Sequence, residues 1–123
     1  MSVTQSIGRG SKPVEMSERL FQDQILQLCN LYGWLAHHVP PMRYNNRNAL
    51  GNNWGTGGLA GMPDLTLISQ KGNGIIYAEL KTATGKVSPH QMQILNTLRR
   101  NGAEVYIWRP RDLRDIAQRL SGL

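Results

Sequence analysis

The chain is short of cysteine, of acidic side chains and of long apolar runs, and each shortage excludes a class of protein. The single cysteine, Cys29, has no partner for an internal disulfide, and no cysteine-cluster zinc site can form around it. No apolar run approaches the roughly 18–20 residues that a transmembrane helix needs. Residues 1–13 also lack the apolar segment of a secretory signal peptide. We therefore expect a soluble, cytoplasmic protein without a membrane partner.

The shortage of acidic residues leaves a basic chain. Eight Asp and Glu stand against fourteen Lys and Arg, which gives a formal net charge of +6. Such a balance favours a polyanionic partner, because neutralising phosphates releases counterions. A basic but otherwise ordinary soluble protein would show the same charge, so charge alone does not decide between the two. The 123 residues suit one hydrophobic core and are too few for two. We expect a single domain over residues 1–123, with residues 1–13 as a flexible tail.

Capping residues and apolar spacing predict three helices. They run from Ser17 to about Tyr32, from Ser88 to Gly102, and from Asp112 onward. Ser17 and Asp112 are suitable N-caps. Ser88 is a third, with Pro89 in the first helical position and Gln91 placed to complete a capping box.

Alternating apolar residues predict four strands, at 34–39, 64–68, 75–81 and 103–108. The short connection from Lys71 to Gly74 predicts that the second and third strands form an antiparallel hairpin. The order of helix, strand, hairpin, helix, strand and helix predicts an α/β protein in which helices pack on a central sheet.

A long polar segment at residues 40–61 separates the first strand from the second. Loops of this length are uncommon in compact domains unless they are functional or disordered. The segment carries Arg43, Arg47 and Trp54 among asparagines and glycines. Cations mixed with aromatic side chains suit phosphate contact and base stacking. The alternative is a flexible surface loop whose aromatic residues are incidental.

Three polar residues are placed to converge at one end of the predicted hairpin. Glu79 and Lys81 are two apart on one strand, so both face the same side. Asp64 opens the neighbouring strand and should lie beside them. Two carboxylates suit Mg²⁺, with the backbone carbonyl of Leu80 as a further ligand. A lysine there can orient the attacking water or stabilise transition-state charge. The alternative is a surface salt bridge among the three residues.

The first predicted helix has an apolar stripe that should face the core, formed by Phe21, Ile25, Leu28 and Tyr32. Glu18 lies on the same stripe. A buried acid must be paired or bind a metal. It also lies in the first turn of its helix, where the helix dipole stabilises an anion at the edge of the core. The sequence leaves both interpretations open.

Further polar residues are predicted near the same end of the sheet. His38 ends the first strand close to the proposed site. Lys86 precedes the second helix, whose N-terminal amides could hold a phosphate with it; the alternative is a solvated turn lysine. A lone histidine such as His90 is more often structural or solvent-facing than a general base.

The motifs together resemble a known nuclease family. Gly61-Met62-Pro63-Asp64 followed by Ala78-Glu79-Leu80-Lys81 is similar to the signature of the PD-(D/E)xK nuclease superfamily. More closely, the chain resembles the VRR-Nuc branch, including its small stand-alone members often found in phages. The further matching segments are Ser17-Glu18 with Phe21-Gln22, Gly33-Trp34, Gly85-Lys86 with Ser88 and Gln91, and Val105 to Pro110. The resemblance covers roughly residues 17–120, and its main departure is the long segment between His38 and Gly61.

The resemblance implies a restriction-endonuclease-like αβββαβ core, with a mixed central sheet flanked by helices. It implies that Asp64 and Glu79 bind the metal, that Lys81 is the catalytic lysine, and that Glu18 reaches the metal directly or through water. It places Gln91 near the lysine or the substrate, although one side chain should not easily do this and also complete a capping box. The family often carries a histidine at the position of His38.

The expected function is therefore that of an endonuclease that cuts DNA with Mg²⁺, for which Mn²⁺ can substitute, and without an organic cofactor. A structure-selective enzyme of the Holliday-junction or flap type is attractive, because a homodimer would supply two sites for the two cuts of a four-way junction. If the chain is phage-encoded, its location is the cytoplasm of the bacterial host. One alternative is a non-catalytic DNA-binding module that keeps the nuclease fold, and another is a basic structural component of a nucleoprotein.

Overall fold

The computed structural model describes residues 16–38 and 60–123, and within these ranges it contains three α-helices and four strands. In chain order they are α1 (Glu18–Tyr32), β1 (Trp34–His38), β2 (Leu65–Ser69), β3 (Ile75–Leu80), α2 (Pro89–Arg100), β4 (Glu104–Trp108), a 3₁₀ turn (Pro110–Asp112) and α3 (Leu113–Ser121). The predicted order of elements is confirmed. Arg43, Arg47 and Trp54 lie outside the described residues. None of the helices in the described ranges is long and apolar enough to cross a membrane.

The four strands form one mixed sheet in the order β1-β2-β3-β4. β2 pairs antiparallel with both β1 and β3, and Leu65 lies opposite Ala78 in the predicted hairpin. β3 and β4 run parallel, which requires a crossover, and α2 provides it. A mixed sheet flanked by helices is consistent with the restriction-endonuclease-like fold that the sequence predicts.

The main core lies on the face of the sheet covered by α1 and α3. On β3 this face consists of Ile76, Ala78 and Leu80, which alternate along the strand and are fully buried. α1 packs there with its buried side chains Phe21, Ile25 and Cys29. Burial of a side chain as large as Phe21 or Ile25 stabilises the fold by about 1.5–3 kcal/mol.

The predicted apolar stripe of α1 is partly wrong at its C-terminal end. Leu28 and Tyr32 only pack against the margin of the core, whereas Cys29 enters it. The buried positions are spaced four residues apart, so the buried line drifts slowly around a helix of 3.6 residues per turn. At the other end of this line, Glu18 is exposed.

The opposite face of the sheet carries α2. Leu95 is the buried residue of α2, and the helix packs against β4. Glu79 alternates with Ala78 and Leu80 along β3, so its side chain leaves the main core and lies on the α2 side of the sheet. The crossover helix and the hairpin therefore meet at this carboxylate.

The start of α2 follows the predicted capping pattern. The Ser88 hydroxyl accepts a hydrogen bond from the backbone N–H of Gln91, at 3.1 Å. The Gln91 side-chain oxygen accepts one from the backbone N–H of Ser88, at 3.0 Å. α3 differs from its prediction, because the Asp112 carboxylate accepts from the Arg109 backbone N–H instead of capping the helix.

Candidate active site

Asp64 joins the two strands of the hairpin at one end. It directly precedes β2, and its Oδ2 accepts a hydrogen bond from the backbone N–H of Leu80, at 2.8 Å. Its own backbone N–H donates to Oε1 of Glu79, at 3.2 Å. The proximity of Asp64 to Glu79 that the hairpin predicts is therefore present in the structure.

Glu79 is buried between the sheet and α2, with 2% of its surface exposed. Its Oε2 lies 3.5 Å from Nζ of Lys81, whose side chain is 15% exposed. The same Oε2 accepts a hydrogen bond of 2.7 Å from Nε2 of Gln91. The three residues predicted to converge thus do so, in a partly desolvated position where electrostatic interactions are stronger than at an open surface.

Gln91 completes the capping box and also contacts the site, but through Glu79, whereas the sequence predicts an approach to the catalytic lysine or the substrate. Its Oε1 completes the capping box with Ser88, while its Nε2 donates to Glu79. The two ends of the amide point in different directions, so capping the helix does not prevent this contact with Glu79. Since Oε1 is engaged by a backbone donor, the amide must present its N–H to the carboxylate.

Burial makes this pair of carboxylates reluctant to carry two negative charges. It raises the pKa of Glu79 to about 7, an effect that the charge of Asp64 increases and that of Lys81 opposes. Burial also raises the pKa of Asp64, against the lowering effects of the Leu80 hydrogen bond and of Lys81. A divalent cation would favour the ionised form of both groups.

Glu18 lies at the same end of the sheet but is not buried. Its pKa is raised, first by partial desolvation and then by the negative charge of Asp64, and is lowered by Lys81. These interactions place it within electrostatic range of the site. Of the two interpretations that the sequence leaves open, the structure agrees with an acid in the first turn at the edge of the core, where the helix dipole stabilises an anion.

The donor set suits a hard cation with two protein carboxylates. Within residues 16–38 and 60–123, no three His, Cys, Asp or Glu side chains are close enough to form a metal-binding group. Asp64 and Glu79 therefore form a pair rather than a triad with Glu18. Mg²⁺ is commonly held by one or two carboxylates together with waters. A carboxylate has about four lone-pair sites, which leaves capacity beyond the contacts described.

The remaining predicted contact residues lie around this end of the sheet. His38 is exposed and ends β1, and its Cα is paired with Leu65, the neighbour of Asp64. Lys86 is exposed in the connection between β3 and α2. His38 shares its face of the sheet with its partner Leu65, which is the face covered by α1, whereas Glu79 lies on the α2 side.

Arg109 and His90 support the site in ways that the sequence did not indicate. The Arg109 guanidinium donates from Nη1 to the carbonyls of Thr82 and Gly85, each at 2.7 Å, and so holds the loop that follows Lys81. Its place in the Trp-Arg-Pro segment was the available signal. His90 contacts the carbonyl of Ala60, a partner thirty residues away that local sequence does not reveal.

Comparison with known families agrees with this geometry. The model of the VRR-NUC domain matches residues 44–112, which is more than half of the chain. The chain belongs to the VRR-NUC domain family. No curated protein and no solved structure matches the chain. The matched part of this VRR-NUC domain contains Asp64, Glu79, Lys81 and Gln91, whereas Glu18 and His38 precede it. Membership assigns the chain a nuclease-type domain that acts on DNA.

Proposed function

We propose that this VRR-NUC protein is an endonuclease that hydrolyses DNA phosphodiester bonds with Mg²⁺. The observation that carries the proposal is the contact of buried Glu79 with both Asp64 and Lys81 at the end of the β2–β3 hairpin. A surface salt bridge would need neither this burial nor the hydrogen bond from Gln91.

In this proposal Asp64, Glu79 and the backbone carbonyl of Leu80 hold the cation, with Glu18 acting through water. Bound Mg²⁺, or Mn²⁺ in its place, supplies Lewis-acid polarisation of the phosphate and a more acidic water. Lys81 orients the attacking water or balances the charge that develops on the phosphate. Gln91 holds the carboxylate of Glu79 in its orientation through the 2.7 Å hydrogen bond.

The proposed DNA contacts surround this centre. Lys86 is proposed to bind a phosphate. The N-terminal amides of α2 contribute little to this contact, because Pro89 has no N–H and those of Ser88 and Gln91 are engaged in the capping box. His38 is exposed one strand away from Asp64. Arg43, Arg47 and Trp54 belong to the proposed interface from their sequence alone.

We further propose that the protein acts on branched DNA as a homodimer. Leu35, Ile68 and Ile75 form a row across three strands, since Ile68 is paired with each of the others. They are 53%, 42% and 51% exposed, respectively. An exposed apolar row favours a protein contact, and a second copy would bring the second active site that a junction requires. Analytical ultracentrifugation of native protein and Ile68→Glu tests this, and a native monomer at micromolar concentration would overturn it.

Cleavage assays test the proposed chemistry. Labelled linear duplex, single-stranded, flap and four-way-junction DNA are incubated with Mg²⁺, with Mn²⁺ or with chelator. We expect cleavage that needs the metal and that Glu79→Gln and Lys81→Ala abolish. The matched controls are Asp23→Asn on the exposed face of α1 and Lys71→Ala in the turn at the far end of the hairpin. Cleavage that survives both active-site changes would refute the assigned residues, and binding without any cleavage would favour a non-catalytic DNA-binding module.

A further inference from the structure

We propose that His90 is a positioning residue that holds the carboxylate of Asp64 in place for metal binding. The metal-binding part of this statement rests on the proposed function. The first turn of α2 would then hold both carboxylates, Glu79 through Gln91 and Asp64 through His90.

The imidazole of His90 fastens α2 to the turn that leads into β2. Its Nε2 lies 2.8 Å from the carbonyl oxygen of Ala60, so this nitrogen must carry the proton and donate it. Gly61 packs directly against the ring. A Cβ built on Gly61 would lie 2.7 Å from Cδ2 of His90 and 3.0 Å from Nε2. The close approach therefore depends on glycine at this position.

The connection from Gly61 to Asp64 is short and stiff. Only Met62 and Pro63 separate Gly61 from Asp64, and Pro63 is buried. The proline ring restricts the backbone torsion at its position. A shift of the turn would therefore be transmitted to Asp64, whose Oδ2 must meet the backbone N–H of Leu80.

His90 lies next to the residue of α2 that contacts the other carboxylate. His90 directly precedes Gln91, whose side chain holds Glu79. The capping box between Ser88 and Gln91 orders this same turn of helix. Two consecutive residues of one rigid turn thus set the separation of the two proposed metal ligands.

Amide hydrogen exchange measured by NMR in chelator tests the positioning without any metal. The backbone N–H of Leu80 donates to Asp64, whereas that of its neighbour Lys81 donates to Trp108. His90→Leu removes the donor, and His90→Gln restores a nitrogen donor at similar reach. We expect His90→Leu to speed exchange at Leu80 about tenfold relative to Lys81, and His90→Gln to stay within about twofold of native. Gln93→Gly, at an exposed site on the same helix, controls for general loss of helix stability.

Calorimetric titration of Mn²⁺ into the DNA-free protein provides the second readout. We expect about tenfold weaker binding by His90→Leu, the lower end of the effect of supporting residues, and recovery in His90→Gln. Unchanged Leu80 exchange in His90→Leu, or an equal change in Gln93→Gly, would overturn the positioning role. If Leu80 exchange responds as expected but native protein binds no Mn²⁺, His90 still positions Asp64 and the proposed metal-dependent function is what fails.

Discussion

At the scale of single residues, Glu79 differs from a carboxylate in an ordinary cross-strand salt bridge. Its partners come from the residue before β2, from the residue after β3 and from α2. Exposed ion pairs typically contribute less than about 1 kcal/mol and need no such set of partners. The spacing of Glu79 and Lys81 alone is common, and burial under α2 is what separates the site from that alternative.

The raised pKa of Glu79 predicts how stability depends on pH. The pKa of Glu79 is about 7 in the folded protein, whereas its ordinary value is 4.5. The group's stabilising contribution is therefore fully present below about pH 4.5 and is lost as the pH rises through about 7. We expect native protein in chelator to lose more free energy of unfolding than Glu79→Gln between pH 5 and pH 8.

Urea unfolding at several pH values measures this difference. The Asp23→Asn variant, which changes an exposed carboxylate, should follow the native curve. Parallel curves for native protein and Glu79→Gln would show that the carboxylate titrates normally.

Substitution can separate the role of the Gln91 side-chain oxygen, which caps α2, from that of its nitrogen, which donates to Glu79. Glutamate can also complete a capping box, so Gln91→Glu keeps the contact with Ser88. It replaces the donor to Glu79 by a third negative group near Asp64. We expect at least about tenfold slower cleavage, as for other supporting residues of metal sites, and a lower free energy of unfolding, because the new carboxylate would repel buried Glu79. Ser88→Ala should lose about 1 kcal/mol in stability with a smaller effect on cleavage.

Urea unfolding and cleavage rates are measured on the same preparations. Native cleavage by Gln91→Glu would show that the hydrogen bond to Glu79 has no role in the reaction.

At the scale of elements, α2 connects the two halves of the site. Its first turn contacts the turn before β2 through His90 and the end of β3 through Gln91. The loop between β3 and α2 is in turn held by Arg109, which directly follows β4. The site is therefore assembled where the hairpin and the β3–α2–β4 crossover meet.

Gly61 allows this assembly, and its replacement should disturb it. Its φ of +88° is unfavourable for other residues, and an added Cβ would clash with His90. Gly72 has a similar φ of +80° but nothing within 4 Å of an added Cβ. Positive φ alone costs a non-glycine residue about 1–3 kcal/mol. We expect Gly61→Ala to lose more stability than Gly72→Ala and, unlike it, to lose cleavage activity.

Thermal unfolding and cleavage assays on the two variants provide the comparison. Equal losses of stability with native cleavage in both would show that the contact between Gly61 and His90 is unimportant for the site.

At the scale of the whole molecule, the net charge of +6 makes DNA binding sensitive to salt. Each phosphate neutralised contributes a slope of about −0.9 to the dependence of log affinity on log salt. If Lys86 binds one phosphate, Lys86→Ala should make the slope shallower by about 1. Lys71 lies at the far end of the hairpin, so Lys71→Ala should leave the slope unchanged.

Fluorescence anisotropy with labelled DNA in chelator, over a series of salt concentrations, measures these slopes. Identical slopes for native protein and Lys86→Ala would remove Lys86 from the interface.

Much of the fold follows from local features of the sequence. Ser17 and Ser88 cap helices through hydrogen bonds to residues three positions away, and a short turn closes the β2–β3 hairpin. These interactions join residues close together in the chain, so the pattern of residue types is enough to predict them. The hairpin also brings Asp64 beside Glu79, because a short turn sets which residues of the two strands lie opposite each other.

The tertiary structure alone decided the contacts between distant elements. The periodicity of α1 gives the angle of Glu18 around the helix, but the packing of α1 in the folded protein determines that Glu18 is exposed. The bond from Gln91 to Glu79 and that from His90 to Ala60 depend on how α2 packs over the hairpin. Sequence by itself determined which residues could form a metal site, and packing decided which of them touch, because such contacts depend on the relative placement of whole elements.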